Sequence, residues 1–142
     1  MRPRLLILLG LLLLPVSLLA KKKVTPAPAH AASPSANYVA ALGAADRFLH
    51  AWQTQDHEAG LLLITDHAKQ QTSAERLEKF FAPDAVTTRA YHVARGKRLP
   101  PGAYAFPVAL LEHTSTAQTR RRNSQLIVVQ TGKDEWAVDK LP

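Results

Sequence analysis

The hydrophobic positions of residues 37–53 repeat with the period of an α-helix. Apolar side chains recur three or four residues apart, which aligns them on one face at 3.6 residues per turn. Asp46, His50 and Gln53 fall on the opposite side. Ser35 or Asn37 can cap the start, because a side-chain oxygen there accepts a hydrogen bond from the first turn. The pattern predicts a helix whose core-facing side is formed by Ala41, Ala45, Phe48, Leu49 and Trp52.

Two shorter helices are predicted after the first one. A turn at residues 55–56 is followed by a second helix over residues 57–64, for which the Asp56 side chain is the expected cap. Thr72 and Glu75 have the spacing of a capping box, which predicts the start of a third helix. Pro83 ends that helix, because a proline restricts the residue before it to extended conformations. Its apolar face is formed by Leu77, Phe80 and Phe81.

Beyond Pro83 the hydrophobic period becomes two, which is the period of β-strands. Residues 87–96 alternate moderately, and residues 102–113 alternate well. Pro107 has no N–H to donate, so its strand is predicted to lie at a sheet edge or to carry a bulge there. Residues 126–130 and 135–141 flank a turn at 131–134 and are predicted to pair as a hairpin. The second strand has one apolar face, formed by Tyr104, Phe106, Val108 and Leu110.

This order of elements, helices first and antiparallel strands afterwards, predicts an α+β domain with its helices packed on one face of the sheet. In the last strand Trp136 and Val138 share one face, and Glu135 and Asp139 take the other. Burial of Trp136, worth about 3–5 kcal/mol, would tie the chain end into the sheet. Deletion of residues 135–142 is therefore expected to abolish folding.

The N-terminal segment is predicted to direct export. Leu5–Ala20 is an uncharged apolar stretch after a short basic start, and as a helix it would reach only about 24 Å. This layout is typical of a signal peptide. An uncleaved membrane anchor and a buried core helix are the alternatives. Either of the first two places the domain in the periplasm or outside the cell. Residues 21–36, three lysines and then an Ala/Pro-rich stretch, are predicted to be a linker before a domain at 37–142.

The charge of the chain does not indicate nucleic-acid binding. The formal net charge is +7, but from residue 37 onward 13 basic residues face 11 acidic ones, so the domain itself is nearly neutral. Arg120–Arg122 are interpreted as a solvated strand end, and the alternative is a contact with an acidic partner or anionic lipid headgroups. The chain has no cysteine, which excludes disulfides and thiolate metal sites.

The ionisable residues show no arrangement that predicts catalysis. Asp46 and His50 lie one helical turn apart, but on the face opposite the apolar stripe, and are interpreted as a solvated pair rather than an acid–base pair. His57, His67 and His113 lack the local spacing of a metal site. No catalytic residue, metal or cofactor is predicted.

Two stretches resemble the nuclear transport factor two-like superfamily, which includes SnoaL-like cyclases and ketosteroid isomerases. "RFLHAWQTQDHEAGLLL", Arg47–Leu63, resembles its first helical segment, and the ending "GKDEWAVDKLP" looks like its Gly-x-Trp-x-Val close. The resemblance implies a curved sheet wrapped against the helices, forming a cone with a pocket at its open end. It also implies dimerisation through the outer face of the sheet as a common arrangement.

Together these features favour an exported, non-enzymatic binding module that holds a small apolar ligand or a protein partner in the cone or on a sheet face. The first alternative is an isomerase-, dehydratase- or cyclase-like enzyme, which needs a carboxylate or histidine inside the cone. The second is an anchored assembly subunit of an envelope complex, tethered through residues 5–20. Five aromatic residues are the candidates for lining the pocket, unless they only fill the core: Phe48, Trp52, Tyr91, Tyr104 and Trp136.

Overall fold

A computed structural model describes residues 33–83 and 86–142 of the chain. The predicted signal peptide or anchor, and residues 21–32 of the predicted linker, lie outside the described residues. Four helices come first: α1 (Ala36–Thr54), α2 (His57–Leu62), α3 (Asp66–Gln71) and α4 (Ala74–Phe81). Five strands follow them: β1 (Val86–Val93), β2 (Lys97–Leu99), β3 (Ala103–Thr114), β4 (Thr119–Gln130) and β5 (Trp136–Lys140).

Each of the four helices begins at a residue whose side chain caps it. Ser35, Asp56, Thr65 and Ser73 accept a hydrogen bond from the backbone N–H three residues later, which satisfies a group that the helix itself leaves unpaired. The caps of α1 and α2 confirm the predictions for Ser35 and Asp56. The predicted start of α4 at Thr72 was wrong by one residue, because the neighbouring Ser73 takes the capping role. The short helix α3 was not predicted.

The five strands form one curved antiparallel sheet in the order β1–β3–β4–β5, with β2 paired to the first residues of β3. The long hairpin of β3 and β4 is the centre of the sheet, and β5 pairs with β4 as predicted. The helices precede the sheet and α1 packs against it. The predicted α+β architecture is confirmed.

Pro107 lies in the central strand β3, and its pairing with β4 continues without a bulge, so the predicted edge position or bulge was wrong. Its carbonyl accepts a hydrogen bond from the N–H of Ala94, and Ala94 follows the last residue of β1. The partner of β3 on this side changes from β1, which reaches Val108, to β2, which begins opposite Ala105. The missing donor of Pro107 therefore falls in the gap between two partner strands, where no ladder bond is lost.

The concave face of the sheet and the apolar face of α1 form a single core. The four residues predicted for the inner face of the second strand are all buried, and so are those predicted for α1. Trp136 is only 8% exposed and Val138 is fully buried, which confirms that β5 is integrated in the sheet. The largest side chains that are completely enclosed are Trp52, Phe48, Phe81, Phe106, Leu49, Leu110, Leu126, Val128 and Val138.

Candidate functional site

The described domain has an open groove of about 810 Å³ between α3, α4 and the strands β4 and β5. We call it the basic groove. Its residues come from α3 and α4 with the turn between them, from β4, and from β5 with the residues after it. They are His67, Ala68, Gln71, Thr72, Arg76, Lys79, Phe80, Arg122, Ile127, Asp139, Lys140, Leu141 and Pro142.

Positive side chains dominate the walls of the basic groove. Arg76 and Lys79 come from α4, Arg122 from β4 and Lys140 from β5, whereas Asp139 is the one acidic side chain among the described lining residues. Lys79 lies 2.7 Å from Glu75, one turn earlier on the exposed side of α4. Such an exposed pair contributes little energy, so Lys79 remains free to contact a ligand.

The floor of the groove is apolar and rests directly on the core. Phe80 is half-buried, and its ring stacks on that of Phe48 at a centroid distance of 5.9 Å. It also lies 6.2 Å from the ring of Trp52 and 5.2 Å from that of Phe81. The guanidinium of Arg122 lies over the outer side of the Phe80 ring at 5.8 Å. Phe80 therefore lies between the buried aromatic residues of the core and the groove.

A hydrogen-bonded cluster joins α3 to the last strand at the edge of the groove. The hydroxyl of Thr65 donates to Asp139 Oδ1 at 2.6 Å, and His67 Nδ1 lies 3.1 Å from the same oxygen. Thr65 Oγ1 also accepts from the N–H of Ala68 and so caps α3. The His67 side chain is 63% exposed. The cluster fixes the start of α3 against β5, and it orients one ring nitrogen of His67.

Arg89, inside the core, fixes the position of α4, which forms one wall of the groove. It is 4% exposed and is the only buried charged side chain of the described residues. Its Nη1 donates to the carbonyl oxygens of Trp52 and Phe81, at the C-terminal ends of α1 and α4. A cation in this position also interacts favourably with the negative ends of both helix dipoles. Arg89 thus ties α4, which carries Phe80 and two of the groove cations, to α1.

Burial opposes the charge of Arg89, although several of its contacts favour that charge. Its guanidinium lies over the ring of Trp52 at 4.9 Å. Its Nε and Nη2 have no hydrogen-bond partner in the described structure. Burial lowers the pKa of Arg89 below its ordinary value, and the negative charge of Glu112, opposite it on β3, partly offsets this.

The five aromatic residues predicted to line a pocket lie elsewhere than in the basic groove. Phe48 and Trp52 are enclosed beneath Phe80. Tyr104 and Trp136 pack against each other at 5.7 Å inside the core. Tyr91 is half-buried on β1. Contact of these residues with a ligand stays a prediction.

The acidic and histidine residues of the first helix lie outside the cone, as predicted. Asp46 and His50 are both exposed and line a shallow depression of about 350 Å³ beside α2. The hydroxyl of Tyr91 donates to Asp46 Oδ1 at 2.8 Å. Burial, followed by this hydrogen bond and the charge of Asp46, raises the pKa of Tyr91 to about 12. Asp46 therefore helps to join α1 to β1.

Sequence reasoning missed most of the basic groove. It singled out Arg122, within the run of three arginines, but not Arg76, Lys79 or Lys140, which are far apart in the sequence. Asp139 and Lys140 directly follow the buried Val138 on β5 and offered a signal, because strand ends commonly carry site residues. No group of three or more His, Asp or Glu residues that could hold a metal ion occurs in residues 33–83 and 86–142. No helix in the same ranges is long and apolar enough to cross a bilayer.

No protein-family model and no curated protein sequence matches this chain. Solved structures do resemble it. A ketosteroid isomerase-like protein from Erwinia carotovora atroseptica aligns with a TM-score of 0.56 and 15% identity, over 75% of this chain and 94% of its own length.

Two mycobacterial structures show the same likeness. RV0760c from Mycobacterium tuberculosis, solved in complex with estradiol-17beta-hemisuccinate, aligns with a TM-score of 0.52 and 15% identity, over 71% of this chain and 89% of that one. The Δ5-3-ketosteroid isomerase from Mycobacterium sp. has a TM-score of 0.52 and 11% identity, over 71% and 88% of the two chains. Identities this low establish the fold rather than the activity. The described domain has the helix-first α+β fold of these solved structures, which is the fold that the sequence resemblance implies.

Proposed function

We propose that this protein is an exported binding module that holds a small, partly apolar ligand in the basic groove without transforming it. The observation that carries the proposal is the groove itself. Its volume of about 810 Å³ falls within the range of small-molecule sites, and such sites combine an apolar surface with a few polar groups. Phe80, Ile127 and Leu141 supply the apolar surface, and the cations supply the polar groups.

The interior of the cone supports a binding role over proton-transfer chemistry. Enzymes that transfer protons commonly place an acidic or basic side chain in an apolar environment, which shifts its pKa toward the working pH. The buried charged group of the described domain is Arg89, and its Nη1 is engaged by two helix ends. Asp46, His50 and Asp56 all lie on the exposed side of the helices.

The structural neighbour RV0760c is a complex with estradiol-17beta-hemisuccinate, a small molecule with a large apolar body. This shows that the fold accommodates a ligand of that kind in another protein. For the present chain it makes a small partly apolar molecule a reasonable occupant of the groove.

An enzyme is the second candidate, and one observation favours it. His67 lies at the edge of the groove with Nδ1 3.1 Å from Asp139, and a carboxylate in that position orients an imidazole for proton transfer. A ligand that binds the groove should therefore be incubated with wild-type protein and with His67→Ala. Turnover that His67→Ala abolishes, at unchanged Tm, would replace the binding-module proposal by the enzyme.

Binding can be tested with Leu141→Gln and the matched control Leu62→Gln. Leu141 lines the groove, whereas Leu62 is 85% exposed and lies outside it. Titration with decanol and decanoate, followed by amide chemical shifts, is expected to perturb groove residues in wild type and in the control. Leu141→Gln should weaken binding about three- to tenfold, since part of one apolar contact is lost. If neither decanol nor decanoate perturbs the groove residues, the proposal is refuted.

Export can be tested independently of ligand binding, by mass spectrometry of the protein from cell fractions. A mature N-terminus close after Ala20 is the expected result. An intact N-terminus in the membrane fraction would instead favour the anchored assembly subunit.

A homodimer through the outer sheet face is part of the same proposal, and sedimentation of the purified protein tests it.

A further inference from the structure

We propose that the basic groove is selective for amphipathic anions, which are molecules with a carboxylate or phosphate head and an apolar body. This inference rests on the proposed function, because it names the class of ligand for the same site. It does not depend on whether the ligand is only held or also transformed.

The uneven distribution of charge is the first argument. From residue 37 onward the chain has 13 basic and 11 acidic residues, which is nearly balanced. The lining of the groove has four cations and one acid, Asp139. The groove therefore concentrates positive charge that the domain as a whole does not carry. Cations that converge on one concavity raise its potential, and an anion bound there relieves their mutual repulsion.

Three of the four groove cations have no ion-pair partner in the described protein. Arg76, Arg122 and Lys140 form no ion pair within residues 33–83 and 86–142, where His67, Lys69 and Lys79 do. The one acidic group of the lining is already engaged, since Asp139 Oδ1 interacts with both Thr65 and His67.

The placement of the two guanidinium groups indicates how the head would be bound. A guanidinium presents paired N–H donors that match the oxygens of a carboxylate or a phosphate. Arg122 lies over the ring of Phe80 and is thus held where the apolar floor meets the charged wall. Arg76 projects from α4 into the same groove. An anion placed between these arginines would leave its apolar body over Phe80, Ile127 and Leu141.

The inference can be tested with four probes. Decanoate and decyl phosphate have both an anionic head and an apolar chain, decanol has only the chain, and inorganic phosphate has only the anionic head. Affinities are measured on the full chain from amide shifts of residues 122–142, so that binding elsewhere does not count. We expect decanoate and decyl phosphate to bind at least about tenfold more tightly than decanol. Their affinity should fall with added salt, and the affinity for decanol should not.

Charge-removing variants locate the selectivity. Arg122→Gln and Lys140→Gln are each expected to weaken decanoate binding about three- to tenfold and to weaken decanol binding by a clearly smaller factor. Arg121→Gln is the matched control, because Arg121 is exposed on the same strand but does not line the groove. It should bind both probes as wild type does.

The outcomes separate this inference from the proposed function. Equal groove affinities for decanol and decanoate would overturn anion selectivity and leave the binding module intact. Absence of groove binding by all four probes would overturn both. Inorganic phosphate that binds as tightly as decyl phosphate would overturn the amphipathic part, since the apolar floor would then contribute nothing.

Discussion

Replacement of Arg89 by methionine tests how the helices are held over the sheet. Methionine keeps a long unbranched apolar side chain but removes the guanidinium. The carbonyl oxygens of Trp52 and Phe81, which Arg89 Nη1 now serves, would lose this donor inside the core. We therefore expect Arg89→Met to loosen the end of α4 and to lower the stability of the whole domain.

The size of the effect follows from two opposing contributions. The Phe81 carbonyl would be left without a donor, which costs about 1–3 kcal/mol, whereas the Trp52 carbonyl would keep the N–H of Gln55 at 3.3 Å and lose about 1 kcal/mol, so the total cost is about 2–4 kcal/mol. Removal of a buried cation recovers part of this, because burial opposes the charge of Arg89 and two of its nitrogens are unpartnered. We expect a net loss of about 2 kcal/mol, which corresponds to a fall in Tm of roughly 8–16 °C.

Urea unfolding followed by tryptophan fluorescence measures this loss, since Trp52 and Trp136 are both in the core. Arg121→Met is the matched control, because Arg121 is exposed on β4, and its change should stay within about 0.5 kcal/mol. If Arg89→Met were as stable as wild type or more stable, desolvation of the guanidinium would outweigh its bonds. Arg89 would then not be what fastens α4.

Three further predictions concern other parts of the fold. Gly60→Ala should lower the free energy of unfolding by about 1–3 kcal/mol, because its new Cβ would overlap the ring of Phe81. Gly43→Ala is the control, because its Cβ would have room, and equal urea midpoints for the two variants would contradict the prediction. Tyr91 has a pKa raised to about 12 from 10.0, so the stability it contributes is present below pH 10 and is lost as the pH rises through 12; Tyr91→Phe should flatten this part of the pH–stability curve, and an unchanged curve would exclude the shift. Deletion of residues 135–142 should abolish cooperative thermal unfolding, and a native-like melting curve would show that β5 is dispensable.

The regular parts of the fold could be predicted because each has a local cause. Residues close together in the sequence determine the apolar stripe of α1, the Asp56 cap and the alternation in β3 and β5. The short helix α3 was missed because Asp66–Gln71 contains a single buried residue, Ala68, and so has no hydrophobic period. The position of the Pro107 strand in the sheet was predicted wrongly, because the order of strands depends on tertiary structure and not on neighbouring residues.

Most of the basic groove could not be predicted, because few of its residues carry a local signal. Arg76, Arg122 and Lys140 are separated by dozens of positions or lie at the chain end, and each is an ordinary exposed cation in its own segment. They converge only after α3 and α4 have been placed beside β4 and β5. Arg89 was missed for a related reason, since an arginine in an alternating strand is normally interpreted as a solvated side chain.

The bridge between residues 63–65 and β5 has a consequence for self-association. Val138 donates its N–H to the carbonyl of Leu63 and accepts from the N–H of Thr65, so a short parallel contact covers the outer side of the final strand. An uncovered edge strand offers its free N–H and C=O groups to other chains and invites aggregation. The middle of β5 is thus closed to the addition of a foreign strand. Within the described residues, edges without a strand partner remain at β1, at β2 and along the part of β4 before Ile127.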